Sequence, residues 1–151
     1  MMLVAEMHTT KGFLDFELFK DDSPKMVEHF RTLAEQGFYD GLEFFKLVED
    51  VLIQTGCPNN DGTGGCGYFA KCELQGGQYH DFGVLSMAHT GKNGNGSQFF
   101  ICLSRNETDI FDNNHTCFGK LRNKGFDVLH KLELGDKIES LTIEEVEESA
   151  R

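Results

Sequence analysis

Two short apolar segments near the start of the chain, residues 2–8 and 13–19, have the pattern of β-strands. In the second segment Leu and Phe alternate with Asp and Glu. A period of two is typical of a strand with one buried face. Lys11 and Gly12 separate the two segments, so the pattern predicts a β-hairpin with its turn at these residues.

The next segment has the spacing of an amphipathic helix. Ser23 and Pro24 indicate a helix start, because a hydroxyl caps the first turn and proline is favoured at the first helical position. Apolar residues follow at helical intervals, and Gly37 indicates the helix end. The apolar set is Met26, Val27, Phe30, Leu33 and Ala34.

The rest of the chain predicts mostly short strands. They are expected at residues 42–48, 51–55, 68–73, 84–88, 99–103, 116–121 and 137–143, with a second helix at 124–132. Many short strands and two helices favour a mainly β fold, a closed antiparallel barrel capped at its ends. We expect a single domain over residues 1–151, with a frayed acidic tail after about residue 144.

Charge and hydropathy exclude several classes of function. The formal net charge is -11 at pH 7. Nucleic acid is not expected as a partner, because binding to phosphate backbones needs clustered Lys and Arg. The sequence has no signal-peptide pattern and no run of about 18 apolar residues, so we expect no membrane contact.

The cysteines indicate a reducing compartment. Their number is odd and they form no CxxC pair, which argues against a disulfide framework. We therefore expect reduced thiols in a cytoplasmic protein, with Cys117, two residues from His115, the first to react with a thiol reagent. The five cysteines are Cys57, Cys66, Cys72, Cys102 and Cys117.

Three other kinds of site are not predicted. The glycine-rich segment 56–67 is long enough for a functional loop, but it lacks the Gly-Lys-Ser/Thr ending of a phosphate-binding loop. The spacing of the cysteines and His80 matches no common zinc site, so no metal or cofactor is expected. Neither Ser86 nor Ser97 lies in the strained G-x-S-x-G turn of a hydrolase.

Residues 83–101, which read GVLSMAHTGKNGNGSQFFI, carry the strongest functional signal. The pattern predicts two apolar strands joined by a glycine-rich loop. The sequence SMA followed by NGSQFF closely resembles the cyclophilins, the peptidyl-prolyl cis-trans isomerases. The resemblance covers nearly the whole chain. It implies a closed eight-stranded antiparallel barrel capped by two α-helices, acting as a monomer without a cofactor.

The resemblance also implies a set of site residues. Gln54 matches the glutamine that hydrogen-bonds the bound peptide, and His115 matches the pocket histidine. Phe100 is expected on the floor of the proline pocket. His89 takes the place of an asparagine whose backbone pairs with the peptide. Ala88 and Gln98 match the middle of the signature, and Phe111 occupies the place of an apolar pocket wall that is usually leucine. The other implied substrate-binding residues are Leu52, Gly62 and Thr90.

Three positions depart from the family pattern. Lys46 occupies the place of the catalytic arginine, and we expect it to be a weaker donor because it lacks the rigid guanidinium fork. Val51 replaces an aromatic residue of the proline pocket, and Ile110 stands where many members have Trp or His. These changes predict weaker peptide binding, slower turnover and poor binding of cyclosporin.

The implied function is isomerisation of X-Pro bonds in protein folding, with Lys46, Gln54 and His115 as the catalytic residues. The expected partners are proline-containing peptides and unfolded or flexible protein segments. The loss of the arginine and of the aromatic wall motivates an alternative, a non-catalytic module or chaperone that binds proline-containing peptides through the same groove.

Overall fold

The computed structural model describes residues 1–74, 78–89 and 96–147. The described strands are β1 (Met2–Thr9), β2 (Gly12–Leu18), β3 (Lys46–Val48), β4 (Leu52–Thr55), β5 (Val84–Met87), β6 (Phe99–Cys102), β7 (Cys117–Leu121) and β8 (Ile138–Val146). The helices are α1 (Pro24–Glu35), α2 (Phe126–Lys131) and a 3₁₀ helix at Asp109–Phe111.

All eight described strands join one antiparallel sheet in the order β3-β4-β6-β5-β7-β2-β1-β8. The sheet curls into a half-barrel, and β3 and β8 are its edge strands. The prediction of a closed barrel is therefore wrong. β3 is only 3 residues long. Within the described ranges, the segments that precede β3 and β8 along the chain are joined by one isolated bridge, between Glu43 and Lys137.

The main core lies on one face of the sheet, where α1 supplies an apolar face. The centre of this core is a group of four rings. The ring of Phe30 lies 5.3 Å from that of Tyr39, 5.4 Å from that of Phe99 and 4.8 Å from that of Phe118. All four side chains are fully buried. Because phenylalanine has no polar group to satisfy, this packing needs few buried hydrogen bonds.

The predicted limits of α1 are confirmed, but its N-terminal cap is not the predicted one. The hydroxyl of Ser23 donates to the carbonyl of Cys117 at 2.8 Å and does not cap the helix. The carboxylate of Glu73 accepts the free backbone N–H of Met26 instead, at 2.6 Å. At the other end Gly37 has φ of 74°, a conformation that suits glycine.

Two predicted strands differ from the structure. Residues 42–48 form a strand only at 46–48. Residues 68–73, all of them described, contain only a bridge position at Ala70. Side-chain contacts hold this segment: the N–H of Glu73 donates to the hydroxyl of Thr116 at 2.9 Å, and its carboxylate binds α1.

The C-terminal strand is longer than predicted. β8 continues to Val146, three residues beyond the expected end at Ile143, and pairs with β1 from Met2 onward. The 3₁₀ helix at 109–111 was not predicted, because a single turn carries too little periodicity to be read from a sequence.

The ring cluster predicts where stability is concentrated. Phe30→Ala should lower the free energy of unfolding by about 3–5 kcal/mol, because it leaves a cavity among three rings. Phe69→Ala is the control, since Phe69 is 74 % exposed and its loss should change stability by about 0.5 kcal/mol or less. Urea unfolding measures both values. Equal losses in the two variants would contradict a core organised around Phe30.

Candidate active site

The register of four strands places the candidate site residues in one row. Lys46 pairs with Gln54, Gln54 with Phe100, and Phe100 with Ser86. Directly paired residues point to the same face of a sheet. With a strand spacing of about 4.8 Å, the row extends roughly 14 Å from the edge of the sheet to β5.

The row lies on the face opposite the main core. Alternation along β6 turns Phe99 and Ile101 into that core, whereas Phe100 and Cys102 belong to a second apolar cluster. The other members of the second cluster are Leu52, Val84 and Cys117, with Phe19, Val51, Ala88 and Phe111 partly buried beside them. β6 is thus buried on both faces, which explains its unbroken apolar sequence.

Three of the residues predicted to form the proline pocket, Phe100, Phe111 and His115, lie in mutual contact, and we call this set the ring pocket. The ring centre of Phe100 lies 5.2 Å from that of Phe111 and 5.6 Å from that of His115, and the last two are 5.2 Å apart. Phe100 is only 2 % exposed. Val51 and Leu52 lie in the same cluster, so the structure brings together five of the predicted pocket residues.

His115 is held in a neutral, oriented state. Its Nδ1 lies 3.0 Å from the carbonyl of Met87, which can only accept, so Nδ1 carries the proton. Burial lowers the pKa of His115 below its ordinary value, and the neighbouring His89 adds to this effect. The pocket wall is therefore an uncharged imidazole at neutral pH.

His89 lies next to His115 and also lines a neighbouring groove. Its ring stacks on that of His115, with centres 4.1 Å apart and planes 22° apart. Its Nε2 lies 2.5 Å from the carbonyl of Asn114. The N–H of Ala88 donates to the carbonyl of Gln98 at 2.9 Å. Thr90, a predicted substrate-binding residue, lies outside the described residues.

A chain of amide hydrogen bonds joins the row to the glycine-rich loop. Nε2 of Gln54 donates to Oε1 of Gln98 at 3.0 Å. Nε2 of Gln98 donates in turn to the carbonyls of Gly62 and Gly64, at 3.0 and 2.8 Å. The side chain of Gln98 therefore supports the loop that carries Gly62.

The groove beside the pocket has a volume of about 690 Å³. Five of the predicted site residues line it, namely Lys46, Gln54, Ala88, His89 and Gln98. Its remaining described lining is Phe45, Asp61, Gly62, Thr63, Gly64, Gly65, Cys66, Gly67, Tyr68, Phe69, Gly96 and Ser97. The glycine-rich loop and two residues of the row, Lys46 and Gln54, thus line one cavity that is open to solvent.

Sequence reasoning missed the aromatic end of this groove. Tyr68 and Phe69 line it and are largely exposed. The ring of Tyr68 lies edge-on to that of His29, at 5.4 Å. The available signal was a pair of aromatic residues directly after the glycine-rich loop, which we assigned to a strand. Ile110, a predicted contact, is 70 % exposed and is not among the residues that line the groove.

The described residues contain no cluster of three His, Cys, Asp or Glu side chains placed to hold a metal ion. None of their helices has the length and apolarity needed to cross a bilayer.

The half-barrel, with a cluster of rings and a groove on the face opposite its core, has the architecture of a cyclophilin-type domain. The family model described as "Cyclophilin type peptidyl-prolyl cis-trans isomerase/CLD" matches residues 4–148. A peptidyl-prolyl cis-trans isomerase of Helicobacter pylori is 43 % identical over 139 residues, which cover 91 % of this chain and 84 % of the relative. The chain therefore belongs to the cyclophilin-type peptidyl-prolyl cis-trans isomerase family.

Solved structures agree with this assignment. A crystal structure of a Cryptosporidium parvum cyclophilin type peptidyl-prolyl cis-trans isomerase superimposes with a TM-score of 0.88 at 30 % identity, covering 97 % of this chain and 100 % of the other. A second structure of that protein, in the presence of the dipeptide Ala-Pro, gives 0.86 at 31 % identity, covering 95 % and 99 %.

The structure reverses the expected reactivity of the thiols. Cys117 is fully buried, and burial raises its pKa to about 12. Cys66, by contrast, is half-buried and lines the groove. We predict that N-ethylmaleimide modifies Cys66 well before Cys117, because only an accessible thiolate reacts. Mass spectrometry of partially labelled peptides measures the order, and early labelling of Cys117 would contradict the buried position of β7.

Proposed function

We propose that the row and its ring pocket isomerise the peptide bond that precedes a proline. The observation that carries this proposal is the alignment of Lys46 and Gln54 beside Phe100 in consecutive strands. A cation, an amide and an apolar floor lie side by side within one residue row. This arrangement is what rotation of an X-Pro amide requires.

The reaction makes and breaks no bond. Rotation passes through a twisted amide that has lost its resonance, against a barrier of about 18–20 kcal/mol. An enzyme lowers this barrier by holding the proline ring in an apolar site and by aiming a donor at the group that gains electron density. Neither metal nor acid–base chemistry is needed for this step.

Each part of the site has a role in this proposal. Phe100, Phe111 and His115 hold the proline ring, and Val51 and Leu52 extend the apolar wall. Gln54 and the backbone at His89 bind the peptide on either side of the proline, with Gln98 and Gly62 supporting that contact. Lys46 donates to the twisting amide from the open edge of the sheet.

Lysine at position 46, where the family pattern has arginine, determines the rate that we expect. An ammonium keeps the charge but offers a mobile point donor, whereas a guanidinium presents a planar fork. Loss of one charge-assisted hydrogen bond of about 1.5–3 kcal/mol slows a reaction by about ten- to a hundredfold. The enzyme is therefore active but slow.

The comparisons support the proposal. The relatives are named as isomerases of this type, and the C. parvum protein was crystallised in the presence of Ala-Pro. No observation favours the alternative of a non-catalytic binding module. Weak cyclosporin binding, a monomeric state and a cytoplasmic location stay predictions.

Exchange NMR on an Ala-Pro peptide tests the activity directly. Uncatalysed isomerisation takes tens of seconds or more, so added protein at micromolar concentration should produce exchange cross-peaks between the cis and trans proline signals. Chemical-shift changes in the peptide without any exchange would show binding alone. That result would replace the proposal with the non-catalytic module.

Lys46→Arg tests the donor. We predict that turnover rises by about tenfold or more, because the fork restores a directed hydrogen bond to the twisting amide. Lys25→Arg is the control, since Lys25 is exposed on α1 and lies outside the groove. An unchanged rate in Lys46→Arg would remove Lys46 from the mechanism, while an equal rise in both variants would point to a general charge effect.

A further inference from the structure

Beneath the ring pocket, the side chains of Ser86, His80 and Asp112 form a hydrogen-bonded triad to which the proposed reaction assigns no role. Oγ of Ser86 lies 2.7 Å from Nε2 of His80. Nδ1 of His80 lies 2.9 Å from Oδ1 of Asp112. The order Ser-His-Asp is that of a hydrolase triad, but Ser86 and His80 have no exposed surface. A nucleophile that no substrate reaches has no hydrolytic role.

The direction of these hydrogen bonds follows from their partners. The carboxylate of Asp112 can only accept, so Nδ1 of His80 carries the proton and Nε2 accepts from the hydroxyl of Ser86. The backbone N–H of His80 also donates to Asp112, at 2.8 Å. Burial lowers the pKa of His80, which keeps the ring neutral in this tautomer. The imidazole is fixed at both of its nitrogens.

A surface cation, Arg105, anchors the triad of Ser86, His80 and Asp112 from outside. Nη1 of Arg105 donates to Oδ2 of Asp112 at 2.7 Å and to the carbonyl of His80 at 2.8 Å. Partial burial raises the pKa of Asp112, but the hydrogen bonds from His80 and the charge of Arg105 outweigh it and hold that pKa below its ordinary value. The carboxylate therefore stays charged and holds both partners.

The fixed imidazole touches every ring of the proline pocket. It stacks on Phe100, with centres 6.0 Å apart and planes 16° apart. It also lies edge-on to Phe111 at 5.7 Å and to His115 at 6.5 Å. Its two hydrogen-bond partners belong to the same structures, because Ser86 pairs with Phe100 across the sheet and Asp112 follows the 3₁₀ helix that carries Phe111.

We propose that His80 is a positioning residue of the proline pocket, which sets the distance between the floor at Phe100 and the walls at Phe111 and His115. The Arg105–Asp112 ion pair acts through it. This inference deepens the proposed function and rests on it. The chain of contacts runs from the surface to the pocket floor without touching the substrate.

His80→Phe is the direct test. It keeps an aromatic ring of similar shape but removes both hydrogen bonds, so the pocket rings lose their fixed separation. We expect KM for an Ala-Pro peptide to rise by about tenfold with kcat much less affected, since small misplacements of binding groups are costly. His130→Phe is the control, because His130 is an exposed ring stacked on Phe82 at the surface.

Arg105→Gln tests the triad of Ser86, His80 and Asp112 without changing a buried residue. Arg105 lies at the surface, so the variant should fold, and we expect KM to rise in the same direction as in His80→Phe but by less. Arg31→Gln is its control, since Arg31 makes a comparable exposed ion pair with Glu35 at 3.2 Å. A KM equal to that of the unmodified protein in both His80→Phe and Arg105→Gln would overturn the proposal, even if their thermal midpoints fell, because a merely structural role lowers stability alone.

Nitrogen-15 NMR of the His80 ring gives a readout that does not depend on turnover. We expect a protonated Nδ1 and an unprotonated Nε2 at pH 7 in the unmodified protein. The opposite tautomer would overturn the arrangement. If the unmodified protein proves inactive, the proposed function fails, while the affinity for Ala-Pro, measured by chemical-shift titration in the same variants, still decides whether His80 positions the pocket.

Discussion

The register of β4, β6 and β5 is the constraint on which the rest of the site depends. Phe100 pairs with Gln54 on one side and with Ser86 on the other. A slip of one residue would turn Phe100 into the main core and Phe99 out of it, since successive side chains point to opposite faces. Both faces of β6 are apolar and buried, and Phe99 lies among the core rings. The packing that stabilises the fold therefore also fixes the pocket floor.

One face of the sheet carries the main core, and the opposite face carries the candidate active site. On the core side, rings such as Phe30 and Phe118 pack without polar partners and supply the stability. On the opposite side, the same backbone presents a pocket with an uncharged histidine wall and an open groove. An X-Pro amide needs little chemistry from a protein, so in the proposed mechanism an apolar floor placed beside a donor is sufficient for the activity. Under the same proposal, the departures from the family pattern at Lys46 and Val51 weaken the donor and the wall but leave their placement unchanged.

The sequence was sufficient for most of the fold, and it named Phe100, Phe111 and His115, whose rings the structure brings into contact. Strict alternation in β2 and helical spacing in α1 are local signals, and both elements lie where the pattern predicts them. The signature around Phe100 located two paired strands. Closure of the barrel was not predictable in this way, because it depends on whether two distant edges pair, and the edge strand β3 proved too short to do so.

The missed parts of the site share one physical cause. His80, Asp112 and Arg105 are separated along the chain, and only the fold brings them under the pocket. The cap of α1 is another case, since Glu73 reaches its first turn from a loop. A hydroxyl before a proline indicates a helix start correctly, but it does not reveal that Ser23 bonds elsewhere. Side chains that act across loops leave no periodic trace in a sequence.

The most direct test of the account is the position of a bound proline ring. Intermolecular nuclear Overhauser effects between a proline-labelled peptide and the protein locate that ring. The account predicts contacts from the proline side chain to the rings of Phe100, Phe111 and His115. Contacts confined to Tyr68 and Phe69, at the aromatic end of the groove, would contradict it.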